Sequence, residues 1–116
     1  MGTARKQEET RRHTRLPVSL QVMLRYGPIG LLRAQARNLS LEGMFINTGQ
    51  VSLPRGVTVE LMFTLPDTGA LHAHQLAATV VHTSGEGVGL AFVRTSVPTA
   101  TAIQRFLQEE PHPALN

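Results

Sequence analysis

The sequence predicts a small all-β protein with one helix: a six-stranded antiparallel β-barrel, with a C-terminal α-helix packed on it. Three observations support this fold class. Six short segments alternate between apolar and polar residues, with the period of two that is typical of half-buried strands. Turn sequences rich in glycine and proline separate these segments at short, regular spacing. After the sixth segment, the apolar residues recur at helical spacing instead.

The composition fits one domain of ordinary size, since the chain has 116 residues, 41% of them hydrophobic. The absence of cysteine excludes disulfides and thiolate metal sites. No apolar run resembles a signal peptide or approaches eighteen residues, so we expect a cytoplasmic location. Ten of the eleven basic residues are arginine, whose forked, planar donors suit phosphate and guanine. A GC-rich genome accounts for the same bias equally well, so the positions of the arginines, and not their number, have to indicate whether they bind a ligand.

The first fifteen residues are predicted to form a flexible arm, because they are rich in charge and have no apolar periodicity. Apolar alternation begins immediately after them. We therefore assign 1–15 to a flexible N-terminal arm, 16–110 to the barrel with its helix, and 111–116 to a tail.

The first two strands are predicted as a hairpin, 18–26 and 32–39, joined by the turn at 27–30. Strict alternation in the second strand puts Ala36 and Asn38 on one face, and Arg37 with Leu39 on the other. The segment 38–43 then interrupts the alternation.

The remaining strands are predicted at 44–47, 57–65, 72–82 and 88–93. The helix is predicted between 98 and 110, where Ile103, Phe106 and Leu107 would face the barrel. Thr99 and Thr101 are the candidates for its N-terminal cap.

Two short segments carry the candidate chemistry. Arg11 and Arg15 lie four apart where the arm enters the first strand. Asn38 and Ser40 lie two apart on an extended chain, so their side chains are expected to point the same way. Gly43 then permits a close approach or a reversed turn. Each segment alone also has a purely structural interpretation. The arginines fit a solvated basic arm, and the segment 38–43 fits a capped turn between strands.

Together these segments closely resemble the PilZ domain, a family of small β-barrels that bind the bacterial second messenger cyclic di-GMP. The resemblance consists of R-x-x-x-R before the first strand and [Asp/Asn]-x-Ser-x-x-Gly after the second. It covers roughly residues 8–110 and includes the short strand 44–46 and the closing segment 87–92. The C-terminal helix is also similar.

The resemblance implies a cyclic di-GMP site and its residues. Arg11 and Arg15 match the arginines that grip guanine and phosphate. Asn38, Ser40 and Gly43 match the motif that contacts the other guanine region and phosphate, with Asn38 standing where many members have Asp. Three further candidates lie close to these motifs in sequence or on the strand before the closing turn: Arg12, Arg37 and His82.

No catalytic or metal site is expected. No nucleophile–base or carboxylate pair stands out, so an enzyme is the least favoured class. His72 and His74 lack a third metal ligand and are interpreted as an exposed strand edge. We expect no cofactor beyond the ligand, no membrane insertion, and a monomer or dimer.

The leading hypothesis is a single-domain cyclic di-GMP receptor that orders its arginine arm on ligand binding and signals to a partner protein. One alternative is a PilZ-fold interaction subunit with weak or no ligand binding. Another is a small β-barrel that binds nucleic acid, disfavoured by the scarcity of lysine and aromatic residues. The sequence leaves the regulated process open.

Overall fold

The computed structural model describes residues 16–67 and 69–109. It confirms the predicted six-stranded antiparallel barrel with one C-terminal helix. The flexible arm predicted at 1–15 and the tail predicted at 111–116 lie outside the described residues. The elements in chain order are β1 (Leu16–Tyr26), β2 (Gly30–Leu39), β3 (Gly43–Asn47), β4 (Thr58–Asp67), β5 (Ala70–Thr83), β6 (Gly87–Arg94) and α1 (Val97–Glu109).

The strands close into a barrel in the order β1-β2-β3-β6-β5-β4, and every neighbouring pair is antiparallel. The β1–β4 seam and the β3–β6 pair therefore lie on opposite walls. The connection from β3 to β4 crosses between these walls. Leu53 anchors it, because its side chain is buried in the core.

The core comes from the alternating apolar residues that the sequence pattern places on one face. Val22 and Leu24 of β1 are buried, as are Leu61 and Leu65 of β4. Leu90 of β6 is also fully buried. The apolar face of each strand turns inward because only that arrangement removes these side chains from water, at roughly 25 cal/mol per Å² of apolar surface.

The β1–β2 turn uses a glycine in the left-handed region. Gly30 has a φ of 91°, a conformation that glycine adopts without steric strain and that is strained for a residue with a Cβ. The N–H of Ile29 donates to the carbonyl of Tyr26 at 2.9 Å. This turn fixes the register of the hairpin, with Tyr26 opposite Gly30.

Helix α1 packs on the barrel, with Ala102 and Ile103 buried. Its N-terminus is capped by Ser96, whose Oγ accepts from the N–H of Thr99 at 3.3 Å. The cap predicted at Thr99 or Thr101 is therefore wrong. Arg105 also forms an ion pair with Asp67 of β4 at 2.9 Å. No helix in the described part of the chain has the length and apolar character to cross a membrane.

The side chain of Thr99 faces the barrel instead, where its Oγ1 hydrogen-bonds Nδ1 of His74 at 2.9 Å. His74 is half-buried, whereas His72 is exposed. The interpretation of both histidines as an exposed edge is thus wrong for His74, because the helix contacts it. Among the described residues, no cluster of three or more His, Asp or Glu side chains could hold a metal ion.

Candidate ligand-binding surface

Asn38 reaches the outside of the barrel because of a β-bulge. Ala36 pairs with Ile46, but the next pair on this ladder is Asn38 with Phe45, so Arg37 is an extra residue. A bulge of one residue reverses the alternation beyond it. Leu39 is accordingly fully buried and Asn38 half-buried. The prediction that Asn38 shares a face with Ala36, and Leu39 with Arg37, is wrong for this reason.

The bulge also brings Arg37 and Asn38 onto the same outer surface. Arg37 is exposed. The Oδ1 of Asn38 accepts a hydrogen bond from the N–H of Phe45 at 3.2 Å. The bulge therefore places a guanidinium next to the first polar residue of the motif, and the Phe45 contact fixes that residue's side chain.

Ser40 lies past the end of β2 in a tight turn, and the residue is only 3% exposed. Its N–H donates to the carbonyl of Gly43 at 2.9 Å. Its Oγ accepts from the N–H of Glu42 at 3.1 Å and makes a longer contact to the Gly43 carbonyl at 3.4 Å. The prediction that Asn38 and Ser40 point the same way assumes an extended chain through both residues. The strand ends at Leu39, so this assumption does not hold for Ser40. In this structure the Ser40 hydroxyl holds its own turn.

Gly43 is required by a close approach between strands. It begins β3 opposite Ala91 of β6, and a Cβ at this position would overlap the backbone carbonyl oxygen of Leu90. Gly43 is absent from the positive-φ glycines of the described residues, so the constraint is space and not backbone conformation. The glycine of the motif thus lets β3 and β6 meet.

The same turn occurs a second time, which sequence reasoning missed. The N–H of Ser84 donates to the carbonyl of Gly87 at 2.9 Å, and the N–H of Glu86 donates to Ser84 Oγ at 3.3 Å. A Cβ at Gly87 would overlap the carbonyl oxygen of Ile46. The signal available in the sequence is the spacing Ser-x-Glu-Gly, at 40–43 and again at 84–87.

The bulge before the turn is repeated as well. Val80 pairs with Leu90 and His82 with Gly89, which leaves Val81 as the extra residue. Residues 36–46 and 80–90 therefore share one pattern of pairs and bulges at an offset of 44 positions. His82 occupies in the second copy the place that Asn38 occupies in the first. The two turns lie at opposite ends of the β3–β6 pair.

The ladders align four residues in one row across the outer wall. Asn38 pairs with Phe45, Phe45 with Gly89, and Gly89 with His82. Three strand spacings separate the ends of the row by roughly 14 Å. Phe45 is half-buried and His82 is exposed. Because Gly89 has no side chain, two aromatic side chains flank a position from which nothing projects.

The start of β1 lies beside this row. Pro17 pairs with Asn38, and Leu16 pairs with Leu39. The chain that precedes Leu16 is therefore joined covalently to a point next to the second motif. Arg11, Arg12 and Arg15 themselves lie outside the described residues.

Of the predicted site residues that the structure describes, Arg37 and Asn38 lie at one end of the outer wall formed by β2, β3, β6 and β5, and His82 lies at the other end. Ser40 and Gly43 lie under one end of it and shape it through backbone contacts. Among the described residues, the arrangement offers the guanidinium of Arg37, the amide of Asn38, two aromatic rings and a hydrogen-bonded turn. These are groups for binding a flat, anionic molecule by stacking, hydrogen bonding and charge.

Comparisons with known proteins identify the family and the fold. The family model described as the PilZ domain matches residues 9–109. The fold is similar to that of the Bacillus subtilis inhibitor of motility (MotI/DgrA), with a TM-score of 0.72 and 17% identity, covering 86% of this chain and 51% of that one. It is also similar to the PilZ domain of CeSA from a cellulose-synthesizing bacterium, with a TM-score of 0.65 and 14% identity, covering 85% of this chain and 99% of that one. No curated protein sequence matches the chain.

Proposed function

Because the chain belongs to the PilZ domain family, we propose that it is a receptor for cyclic di-GMP that signals to a partner protein by contact. One observation carries the proposal. Pro17 pairs with Asn38, so the chain that bears R-x-x-x-R enters the barrel beside the residues of the second motif. One ligand is then within reach of both motifs.

The chemistry of the ligand suits the residues. Cyclic di-GMP carries two phosphates and two guanines. A guanidinium meets the O6 and N7 edge of guanine with two parallel donors, and it stacks flat on a purine. Arg11 and Arg15 are the proposed grips on guanine and phosphate, with Arg12 as a further contact. A hydrogen bond to a charged group contributes about 1.5–3 kcal/mol.

The outer wall supplies the other half of the proposed site. Arg37 is exposed on the bulge, and we propose that it binds a phosphate beside Asn38. His82 and Phe45 flank Gly89 in the row, and we propose that they stack on a guanine ring. Ser40 and Gly43 contribute by holding the turn that ends this surface. Glu42 is exposed at the tip of the same turn, and we propose that it points away from the phosphates.

The proposed output is a change of surface. Ligand binding would fix the arginine arm against the barrel, and a partner protein would recognise the new surface. A structural neighbour is named as an inhibitor of motility, and we propose a regulatory output for this chain by analogy. This chain spans about half of that neighbour's length. The proposed role needs binding only, with no catalytic step and no cofactor.

A second candidate function is a PilZ-fold interaction subunit with weak or no ligand binding. A specific observation favours it. The motif side chains already have partners within the protein, since Asn38 Oδ1 accepts from Phe45 and Ser40 Oγ accepts from Glu42. Ligand contacts at these atoms would have to share or replace those bonds. The intact order and spacing of both motifs favour the receptor.

Calorimetric titration with cyclic di-GMP tests the proposal. We expect saturable binding, weakened about tenfold to over a hundredfold in Arg15→Ala. Arg55→Ala is the matched control, because Arg55 is exposed in the β3–β4 connection and the substitution removes the same charge away from the proposed site. Absence of binding by the wild type, or equal losses in the two variants, would contradict the receptor proposal and favour the interaction subunit.

A further inference from the structure

Strand β2 has an open edge beside the end of β3. On one side, β1 pairs with β2 as far as Tyr26 opposite Gly30. On the other side, β3 pairs with β2 only as far as Gln35 opposite Asn47. Among the described residues, no turn or loop makes a backbone hydrogen bond to residues 30–34. In the described part of the chain, residues 30–34, the open edge of β2, therefore have a strand partner on one side only.

β3 ends at Asn47 because the chain turns away there. The Oδ1 of Asn47 accepts a hydrogen bond from the N–H of Gly49 at 2.8 Å. The N–H of Val51 donates to the carbonyl of Thr48 at 3.1 Å, and Thr48 Oγ1 donates to the carbonyl of Val51 at 2.8 Å. Since these bonds hold the turn, β3 does not continue along β2, and the edge stays open.

The open edge presents backbone hydrogen-bonding groups to solvent. In an antiparallel ladder every second residue exchanges its hydrogen bonds with a given neighbour, so about half of the backbone groups at 30–34 face away from β1. A row of this kind pairs with an added extended chain, which is one of the general ways in which proteins bind peptides. Residues 30–34 contain no proline, so nothing in this segment prevents such pairing.

A notch lies at the step where β3 ends. Its volume is about 280 Å³, just below the roughly 300–1,000 Å³ of pockets that bind small molecules, so it suits a side chain of a bound peptide. The notch is lined by Gln21, Arg33, Ala34, Gln35 and Asn47. It therefore lies directly beside the open edge, and a strand added to this edge would pass over it.

The side chains around the edge favour a carboxylate. Arg33 is exposed, and the other described residues that line the notch are uncharged. Glu60 of β4 is already engaged by Arg25 and Gln75. Leu31 lies two residues before Arg33 on the same outer face and is 59% exposed. Because opposite charges and apolar pairs across strands stabilise a sheet, an added strand fits best with an acidic residue opposite Arg33 and an apolar residue opposite Leu31.

We propose that the open edge of β2 is a docking site for an extended, acidic peptide segment of a partner protein, which adds to the barrel as a further strand. Backbone hydrogen bonds at 30–34 supply the affinity, and a carboxylate beside Arg33 supplies the selectivity. The edge is at the opposite end of β2 from the pair of Pro17 with Asn38, where the arginine arm enters. The proposal therefore goes beyond the cyclic di-GMP site and stands whether or not that ligand binds.

Titration with the peptide acetyl-Thr-Glu-Thr-Val-Thr-amide tests the proposal, using ¹⁵N NMR spectra of the whole chain without cyclic di-GMP. The peptide places a glutamate and a valine two positions apart in a sequence that favours strands. We expect saturable shifts of the N–H signals at 30–34 and of Asn47, with slower hydrogen exchange at the open edge. The signals of Leu76 and Ala78 should stay fixed, because β5 is three strands away from β2 in either direction around the barrel.

Two altered peptides separate the backbone contacts from the charge. Replacing the glutamate by lysine should weaken binding about threefold or more at low salt, because attraction to Arg33 becomes repulsion. Methylating the backbone nitrogens should abolish binding, because it removes the hydrogen-bond donors of the peptide and keeps its side chains.

Two matched variants locate the charge on the protein. Arg33→Gln is an exposed change that leaves the core intact, and it should reduce the difference between the glutamate and lysine peptides to less than about twofold. Arg55→Gln removes the same charge from the exposed β3–β4 connection and should leave that difference as it is in the wild type.

The proposal is overturned if no N–H signal at 30–34 shifts at millimolar peptide, or if the methylated peptide binds as well as its parent. It is also overturned if the glutamate and lysine peptides bind the wild type alike, or if Arg33→Gln and Arg55→Gln behave alike. If the protein alone shows the same shifts as its concentration rises, the open edge pairs with a second copy of this chain, and that result also overturns the peptide proposal.

Discussion

The two equivalent turns allow the role of Ser40 to be measured against an internal reference. Ser40→Ala removes an acceptor for the N–H of Glu42, at 3.1 Å, and a weaker contact at 3.4 Å. Ser84→Ala removes the same pair of contacts, at 3.3 and 3.4 Å. The two substitutions therefore delete the same chemistry at opposite ends of the β3–β6 pair.

The expected loss of stability follows from burial. Ser40 is 3% exposed, so water does not replace its bond, and Ser40→Ala should lower the free energy of unfolding by about 1–2 kcal/mol. Ser84 is exposed, so water compensates in part, and its loss should be about 0.5–1 kcal/mol. Domains are stable by about 5–15 kcal/mol, so both variants should remain folded at 25 °C.

Urea unfolding measures the stability difference, and titration with cyclic di-GMP at 25 °C measures the effect on binding. Ser40→Ala should weaken binding more than Ser84→Ala, because Ser40 is the more buried of the two serines and its turn follows Asn38, beside the point where the arginine arm enters β1. If Ser40→Ala loses no stability yet abolishes binding, Ser40 is a direct ligand contact and the structural role argued from its hydrogen bonds is refuted.

Three further predictions concern packing, charge and pH. Gly43→Ala should lower the free energy of unfolding by about 3 kcal/mol or more in urea, because the added Cβ would meet a backbone oxygen that cannot move aside. Gly85→Ala is the control: a Cβ there would point into open space, so the free energy of unfolding should change little. Asn38→Asp should tighten cyclic di-GMP binding about fivefold in calorimetry, since a carboxylate accepts the guanine N–H groups more strongly; unchanged or weaker binding would show that Asn38 faces no such donors. The pKa of His74 in the folded protein is lowered from 6.5, chiefly by burial. Below pH 6.5 the unfolded chain therefore binds a proton at this residue more readily than the folded protein does. The free energy of unfolding should fall as the pH drops below 6.5. His74→Phe should show a smaller fall in urea unfolding over that range, and an identical fall would exclude His74 as its source.

The barrel could be predicted because its pattern is local. Val22 and Leu24, or Leu61 and Leu65, alternate with polar neighbours, and each such run identifies a strand and its inward face. The bulge at Arg37 was not predictable in the same way. It depends on how β2 aligns with β3, a non-local property, and a single extra residue reverses the facing of Asn38 and Leu39.

The site was predictable as a motif but not as a geometry. The spacing of Asn38, Ser40 and Gly43 identified the segment, yet the sequence did not show that the Ser40 hydroxyl bonds within its own turn. It also did not show that Gly43 serves a close approach between β3 and β6. The row from Asn38 to His82 depends on three successive strand registers, and registers are set by the closed barrel as a whole.

The most direct test of the central claim is a double-mutant cycle by calorimetry with cyclic di-GMP, using Arg15→Ala, Asn38→Ala and the double variant. The claim is that both motifs hold one ligand on one surface. It predicts that the two losses do not add and that a coupling energy of about 0.5 kcal/mol or more remains. Strictly additive losses, or binding that neither substitution changes, would contradict it.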